Sequence, residues 1–337
     1  MPFYERLAMS EKKSPVTVDE GLSLLRMMLL IRRFEERAME LNLGGKIRGA
    51  VHPYIGEEAI ATGICAALEQ RDFIASYHRG HGHTLAKGGS AKAMMAELLG
   101  KATGMCRGKA GSLHVADISK GVLGANGIVG DGATLALGAA HSARLLATGA
   151  LSVPFFGDGA ISRGPVLEAM NWAKAFCLPM IFVCEDNVYS YTVRTSDVTG
   201  GPGPAARAAG FGLEARTIDG NDVIAIYEMA REMVARVRGG GGPAFIHALT
   251  YRHHGHIARD QAPYRPSGEL ARYLTLDPIP RCIAWLEERG ASQDAITGVR
   301  QDVEDEIGEA VEAGLADPEP DKSELFTDTL DVGAPTW

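Results

Sequence analysis

The stretch LSVPFFGDGAISRGPVLEAMNWAKAFCLPMIFVCEDN, residues 151–187, carries the clearest fold signal in the chain. Two apolar runs, at 151–156 and 180–184, have the length and composition of buried strands. Between them, Gly157-Asp158-Gly159 predicts a turn, and Pro165 suits the first position of a helix, where its missing N–H group has no partner. The stretch therefore predicts a strand–helix–strand unit whose two strands are parallel.

Similar signals continue on both sides of this unit. Thr17 and Glu20 have the spacing of a capping box, at the start of a first helix of roughly 25 residues. Residues 103–133 hold eight glycines with little periodicity, and a loop of this length in a compact protein is usually functional. Further helices are predicted at 56–68, 91–99, 133–147, 205–209 and 223–237, and further strands at 215–218 and 243–249.

These elements predict a single α/β domain over residues 17–270, with a mostly parallel sheet and helices on both faces. Residues 1–16 are expected to form a flexible N-terminus, and residues 271–337 a C-terminal helical extension. The alternation of strands and helices is the observation on which this fold class depends.

Composition and charge exclude several classes of protein. With 46% hydrophobic and 23% charged residues, the 337-residue chain is typical of folded globular proteins. It has no apolar run of about 18 residues, so a membrane protein is not expected. The net charge of −8 argues against non-specific binding to nucleic acid. Five separated cysteines without a CxxC pair, and a start without a signal-peptide pattern, predict a cytoplasmic protein with reduced thiols.

Asp158 and Asn187 are the first candidates for chemistry, since each follows one of the two predicted parallel strands. Ligands of open α/β sheets bind at the carboxyl ends of the strands. A carboxylate and an amide oxygen there suit Mg²⁺, which completes its coordination with phosphate oxygens and water. Gly157 and Gly159 would let a phosphate approach the main chain closely. Alternatively, Asp158 only caps a helix and Asn187 only turns the chain, but the paired spacing favours a ligand site.

The Gly-Asp-Gly turn and the later asparagine resemble the thiamine-diphosphate motif. Eight further segments extend the likeness along nearly the whole chain, from residue 22 to about 320: IRRFEERAMEL (31–41), KIRGAVHPYIGEEA (46–59), SYHRGHGH (76–83), GKAGSLHVAD (108–117), GANGIVG (124–130), CEDNVYS (184–190), DGNDV (219–223) and TYRHHGH (250–256). The chain thus resembles the alpha subunit of the thiamine-diphosphate-dependent component of 2-oxoacid and acetoin dehydrogenase complexes.

The resemblance implies a role for each matching position. The implied Mg²⁺ ligands are Asp158, Asn187 and the main-chain carbonyl of Tyr189. The implied cofactor-binding residues are His78, Arg79, Gly127, Val129, Asp158, Gly159, Ala160, Asn187, Tyr189 and His256, with Arg79, Gly159 and Ala160 at the diphosphate and Gly127 and Val129 at the aminopyrimidine. The implied catalytic residues are His256, at the mouth of the site, and His52, on the substrate side.

The resemblance also implies a reaction and its partners. Bound thiamine diphosphate supplies a carbanion that attacks a substrate carbonyl, and the acyl unit passes to a lipoyl group on an acyltransferase. A glutamate that activates the cofactor comes from a separate beta subunit, so a heterotetramer of two alpha and two beta chains is expected. RGHGH (79–83) and the stretch from LHVAD to GANGIVG favour acetoin as substrate. Pyruvate remains an alternative, as does a non-catalytic regulatory homologue, against which intact Asp158 and Asn187 argue.

Two other ligands compete with this interpretation. The histidines at 78, 81 and 83 and at 253, 254 and 256 suggest zinc, but no acidic partner follows at metalloprotease spacing and neither group lies on a clear helix. The glycines at 124–132 suggest a dinucleotide, but they do not form GxGxxG and do not follow a strand.

The chain departs from the family pattern in three places. The departures are Ile161-Ser162-Arg163 after the Gly-Asp-Gly turn, Asp131 where many relatives have a small neutral residue, and Ile257 in place of a regulatory phosphoserine.

The loop at 251–264 lacks periodicity and carries histidines and arginines. We expect it to be mobile in the empty site, because these groups would have no partner there.

Overall fold

A five-stranded parallel sheet lies at the centre of the protein, whose computed structural model describes residues 14–327. The strands of this sheet are β1 (Phe73–Ala75), β2 (Ser152–Gly157), β3 (Ile181–Asp186), β6 (Glu214–Asp219) and β7 (Ala244–Leu249), and a separate hairpin consists of β4 (Tyr189–Ser190) and β5 (Val193–Arg194). The order in the sheet is β1-β2-β3-β7-β6, and every neighbouring pair is parallel. The predicted β2–β3 unit and the predicted sheet type are confirmed.

Helices cover both faces of the sheet. They are α1 (Val18–Leu43), α2 (Glu58–Ala66), α3 (Gly80–Ala86), α4 (Ala91–Leu98), α5 (Gly132–Leu145), α6 (Gly164–Ala175), α7 (Thr195–Val198), α8 (Pro204–Gly210), α9 (Val223–Arg238), α10 (Glu269–Leu274), α11 (Pro278–Glu288) and α12 (Gln293–Ala316). None of the helices within residues 14–327 is long and apolar enough to cross a membrane.

Alternation along the strands produces two hydrophobic cores, one on each face of the sheet. Phe155 and Val183 belong to the core beneath α1, α2 and α9, whereas Phe156 and Phe182 belong to the core beneath α5, α6 and α8. Successive side chains of a strand point to opposite faces, so each apolar run supplies both cores. This explains why β2 and β3 are mainly continuous apolar runs.

The N-terminal cap of α1 is as predicted. Thr17 accepts a hydrogen bond from the main-chain N–H of Glu20, and the Glu20 carboxylate accepts one from the N–H of Thr17 in return. The helix has 26 residues, close to the expected length. The reciprocal bonds satisfy two N–H groups that a helix start otherwise leaves unpaired.

Two expectations about local structure are wrong. The helix predicted at 56–68 is shorter, at Glu58–Ala66, because Gly56 has a φ of 100° that does not continue into a helix. The histidines at 78–83 were expected to lie off any helix, yet His81 and His83 lie on α3. Arg32 forms ion pairs with the fully buried Glu58 and with Asp277, at 3.0 Å from the latter.

The C-terminal helices pack on the first helix of the domain. Val303, Ile307 and Val311 form the buried stripe of α12, while Arg26 pairs with Glu306 at 2.5 Å beside that stripe. The acidic residues of α12 lie on its outer face, as helical periodicity requires. The domain boundary at residue 270 stays a prediction, because these helices share one core with α1.

Candidate functional site

The register of β2 and β3 brings the two motif residues to the same edge of the sheet. Gly157 lies opposite Glu185 in the ladder, so Asp158 and Asn187 leave the sheet beside one another. Asp158 is 2% exposed and Asn187 is 3% exposed. The position is the carboxyl edge at which α/β sheets bind ligands.

A cavity of about 310 Å³ opens at this edge. Among the residues that line it are all eleven predicted from the sequence: His52, His78, Arg79, Gly127, Val129, Asp158, Gly159, Ala160, Asn187, Tyr189 and His256. The structure therefore brings the whole predicted set together around one cavity.

The donor set around Asp158 and Asn187 fits a hard cation. Asp158 accepts a hydrogen bond from the Thr195 hydroxyl, which fixes its carboxylate in the cavity wall. The Asn187 side-chain N–H₂ donates to both carboxylate oxygens of Glu57, at 3.1 and 3.2 Å. Because its N–H₂ group is held in this way, the Asn187 carbonyl oxygen is the atom left for a cation. Oxygen ligands of this kind are those that Mg²⁺ prefers.

The backbone that carries the third predicted ligand is strained. Val188 has a φ of 79° and Tyr191 a φ of 58°, on either side of the short strand that begins at Tyr189. A β-branched residue at positive φ is a genuine outlier, and such strain is found where a functional geometry is imposed. The hairpin aligns Tyr189 with Arg194, and the Thr195 N–H bonds the Val188 carbonyl at 3.0 Å.

Gly159 has a steric reason to be glycine. A Cβ atom at this position would lie 2.3 Å from the Ser190 hydroxyl oxygen and 3.0 Å from its Cβ. The glycine thus lets the Gly-Asp-Gly turn pack directly against the hairpin that carries Tyr189. This requirement adds to the phosphate approach that the sequence predicted.

Burial and charge lower the basicity of three histidines in the cavity. Burial, then the positive charge of the Arg79 guanidinium, lower the pKa of His52 to about 3. Burial, then Arg79 and Arg252, lower the pKa of His256 to about 3. The pKa of His78 is also well below its ordinary value, mainly because of burial. All three imidazoles are therefore neutral at physiological pH.

Two arginines fix the tautomer of His256. Arg79 Nη2 lies 3.4 Å and Arg252 Nη1 lies 3.3 Å from His256 Nδ1. Guanidinium groups only donate hydrogen bonds, so Nδ1 is the acceptor and the proton of the neutral ring is on Nε2. His256 is thus a hydrogen-bond donor through Nε2. His52 Nδ1 is buried and has no hydrogen-bond partner among residues 14–327.

The zinc interpretation can be weighed against this geometry. Ring nitrogens of His52, His78 and His256 lie within 4.8 Å of one another, close enough to hold a metal ion. However, the guanidiniums of Arg79 and Arg252 contact His256, and their positive charges oppose a second cation at the same place. The other histidines predicted from the 78–83 spacing do not line this cavity.

Those two histidines instead belong to buried structural networks. His81 Nδ1 lies 3.0 Å from the Glu35 carboxylate, and His83 Nε2 lies 3.1 Å from the Glu185 carboxylate. Ser76 completes the second network at 2.8 Å from His83 Nδ1. All of these groups are buried, so they hold α3 against the sheet.

Three residues of the site escaped the sequence analysis. Glu57 orients Asn187, Thr195 holds Asp158, and Arg252 lines the cavity beside His256. Burial raises the pKa of Glu57 to about 8, against the opposing effect of Arg79. Burial, then the nearby carboxylates of Asp186 and Glu57, raise the pKa of Asp158 well above its ordinary value. A bound dication would stabilise the ionised forms of both carboxyl groups and so lower both pKa values.

The loop at 251–264 is more fully bonded than the sequence suggested. Arg265 donates to the main-chain oxygens of Arg252 at 2.7 Å and His254 at 2.6 Å. Asp260 accepts from the His256 N–H at 2.7 Å and from the Tyr264 hydroxyl at 2.8 Å. The expectation that these groups lack partners in the empty site is therefore wrong. The mobility of the loop stays a prediction.

Comparison with known proteins shows the family of this chain. The sequence profile of the family described as Dehydrogenase E1 component matches residues 26–323. The chain belongs to this family. Similar proteins include the alpha subunit of acetoin:2,6-dichlorophenolindophenol oxidoreductase from Bacillus subtilis, 43% identical over 315 residues, which cover 93% of this chain and 94% of the relative.

Two further relatives differ in the activity that they are named for. The alpha subunit of the same acetoin oxidoreductase from Cupriavidus necator is 41% identical over 319 residues, covering 93% of this chain and 95% of the relative. The pyruvate dehydrogenase E1 component subunit alpha of Rhizobium meliloti is 39% identical over 314 residues, covering 93% and 90%. This dehydrogenase E1 component chain is therefore an alpha subunit of a thiamine-diphosphate-dependent dehydrogenase, which works with a beta subunit.

Proposed function

We propose that this alpha subunit acts in the cleavage of acetoin and the transfer of its acyl unit to a lipoyl group. The observation that carries the choice of substrate is the chemistry of the cavity. His52, His78 and His256 are neutral, and they suit the uncharged hydroxyl and carbonyl oxygens of a hydroxyketone. The names of two relatives at 43% and 41% identity support the same substrate.

Neither arginine of the cavity is left for a substrate carboxylate, which further supports an uncharged substrate. Arg79 is proposed to bind the diphosphate, and both arginines also bond other groups of the protein. Arg79 donates to the main-chain oxygens of Pro53 at 2.7 Å and His256 at 3.2 Å. Arg252 donates to the Tyr191 carbonyl at 3.1 Å and to the Tyr264 hydroxyl at 2.8 Å. A 2-oxo acid would need a free cation for its carboxylate, so pyruvate is the second candidate.

The proposed roles follow from the contacts of each residue. Asp158, Asn187 and the Tyr189 carbonyl would hold Mg²⁺. Bound thiamine diphosphate would supply the carbanion for attack on the substrate carbonyl. His256 would donate a hydrogen bond from Nε2 at the mouth of the site, and His52, which lines the cavity, would face the substrate. The remaining predicted positions, His78, Arg79, Gly127, Val129, Gly159 and Ala160, would bind the cofactor.

The partners are proposed on the same basis. The beta subunit would supply the glutamate that activates the cofactor, within a heterotetramer of two alpha and two beta chains. A lipoyl acyltransferase would accept the acyl unit. We place the enzyme in the cytoplasm, where its five unpaired cysteines stay reduced. Intact Asp158 and Asn187 favour this catalytic role over that of a regulatory homologue.

Steady-state kinetics of the chain co-purified with its beta subunit test the proposal. We expect kcat/KM for acetoin to exceed that for pyruvate by about tenfold or more, the scale that a few hydrogen bonds supply. The reduction of 2,6-dichlorophenolindophenol reports turnover for either substrate. The isolated alpha chain should be inactive with both. Equal or better use of pyruvate would exclude acetoin as the preferred substrate. Full activity of the alpha chain alone would exclude the need for a glutamate from the beta subunit.

A further inference from the structure

One carboxylate at the start of α10 joins three separate segments of the chain. Glu269 Oε1 accepts hydrogen bonds from the hydroxyls of Tyr189, at 2.8 Å, and Tyr251, at 3.0 Å. Glu269 Oε2 forms an ion pair with the Arg194 guanidinium. The side chain of Glu269 is 11% exposed. Two of its three partners lie on the hairpin β4–β5, and the third lies at the start of the loop that carries His256.

Arginine and tyrosine side chains close this cluster on its other sides. The guanidinium carbon of Arg265 lies 4.8 Å from the ring centre of Tyr251 and 5.8 Å from that of Tyr189. The guanidinium carbon of Arg194 lies 5.1 Å from the Tyr189 ring. Tyr189 is 3% exposed and Tyr251 is 1% exposed. The Tyr189 ring is therefore held from several directions, with Glu269 as the acceptor of its hydroxyl.

The hairpin needs such an anchor. Within residues 14–327, β4 and β5 pair only with each other and not with the five-stranded sheet, and each has two residues. The positive φ of Val188 strains the backbone immediately before Tyr189. A two-residue ladder is a weak constraint on a strained segment, so contacts from other elements must hold it.

We propose that Glu269 is a positioning residue for the metal site, which sets the main-chain carbonyl of Tyr189 by holding the Tyr189 side chain. The proposal rests on the proposed function, because only there does that carbonyl bind Mg²⁺. It has a specific consequence. Mg²⁺ demands near-ideal octahedral geometry at 2.0–2.1 Å, whereas Ca²⁺ accepts flexible arrangements at 2.3–2.6 Å. Loss of the anchor should therefore weaken Mg²⁺ binding more than Ca²⁺ binding.

Metal titrations of the complex with its beta subunit test this consequence. Apparent Kd values for Mg²⁺ and for Ca²⁺ are measured by calorimetry at saturating thiamine diphosphate, for Glu269→Ala and for Tyr189→Phe. Tyr189→Phe removes one hydroxyl and leaves the main-chain carbonyl in place. We expect the Kd for Mg²⁺ to rise about tenfold or more, the scale of lost outer contacts around a metal ligand. The Kd for Ca²⁺ should rise less than about threefold.

The controls distinguish failure of this proposal from failure of the proposed function. Glu309→Ala removes an exposed carboxylate of α12 and should change neither Kd. Asp158→Asn should weaken both metals strongly; if it weakens neither, the metal site itself is wrong. If Asp158→Asn abolishes binding but Tyr189→Phe and Glu269→Ala bind Mg²⁺ within about twofold of wild type, Glu269 does not position the site. Equal weakening of both metals, with a lower Tm, would also overturn the proposal, since it would show only loss of structure. If Glu269→Ala does not fold, Tyr189→Phe decides alone.

Discussion

Replacing Asp158 by asparagine should remove the metal dependence of cofactor binding. Of the three proposed Mg²⁺ ligands, Asp158 is the single formally charged group, since the others are an amide and a main-chain carbonyl. The variant preserves the size of the side chain and an oxygen that accepts from Thr195. It therefore changes the charge of the site and little of its shape.

The expected loss of Mg²⁺ affinity follows from the position of this charge, directly on the metal. Loss of a contact in the outer shell of a metal site costs about 10- to 100-fold in affinity, so loss of the one charged ligand should cost about 10³-fold. That factor is about 4.1 kcal/mol, which equals the stabilisation expected from a ligand at 1,000 times its Kd. At about 2–4 °C per kcal/mol for a large domain, the Tm increase lost is roughly 8–16 °C.

Thermal unfolding with and without Mg²⁺ and thiamine diphosphate, on the complex with its beta subunit, measures this effect. Without ligand, Asp158→Asn should be at least as stable as the wild type, because burial and neighbouring carboxylates oppose the charge of Asp158. Asp186→Asn is the matched control, since Asp186 faces His247 at 2.9 Å and does not line the cavity. It should lose less than about tenfold in Mg²⁺ affinity. A full ligand-induced Tm increase in Asp158→Asn would refute the assignment.

Three further outcomes are expected. Glu57→Ala should weaken Mg²⁺ binding about 10- to 100-fold, because it frees the Asn187 amide. Glu58→Ala, the control, should lower Tm by breaking the buried pair with Arg32 and should leave the Kd for Mg²⁺ unchanged. Mg²⁺ titration of both variants tests this difference. His256→Ala should lower turnover about 10²-fold or more, at a near-normal cofactor Kd, and a near-normal rate would exclude its proposed role. The pKa of His52 is about 3 in the folded state and near 6.5 in the unfolded state. His52 therefore contributes stability above pH 6.5 that is lost as the pH falls toward 3. The fall in Tm over this pH range should be shallower in His52→Gln than in the wild type.

Much of the fold follows from local signals. The cap at Thr17, the β2–β3 unit and the alternating strand residues all depend on neighbours a few positions apart, so the sequence predicts them. The hairpin at Tyr189 and the helix that carries His81 and His83 were missed. Each is too short for a periodic pattern, and contacts with the sheet and with α10 hold them in place.

Some residues of the site could likewise be predicted from local sequence signals, and others could not. Asp158 and Asn187 could be predicted because strand ends and turn residues mark them, and their oxygen ligands indicate a hard cation. Glu57 lies 130 positions from Asn187, and Glu269 lies 80 positions from Tyr189, so no local pattern announces either contact.

The sequence by itself determined four of the five strands of the sheet, β2, β3, β6 and β7, and the chemical types of the ligands that reach the sheet edge. The tertiary structure alone decided that three histidines are neutral, that His256 carries its proton on Nε2, and that Asn187 presents its oxygen to the cavity. The physical reason is that burial, guanidinium charge and hydrogen-bond direction depend on distances between groups remote in the chain, and these distances exist only once the two cores have packed.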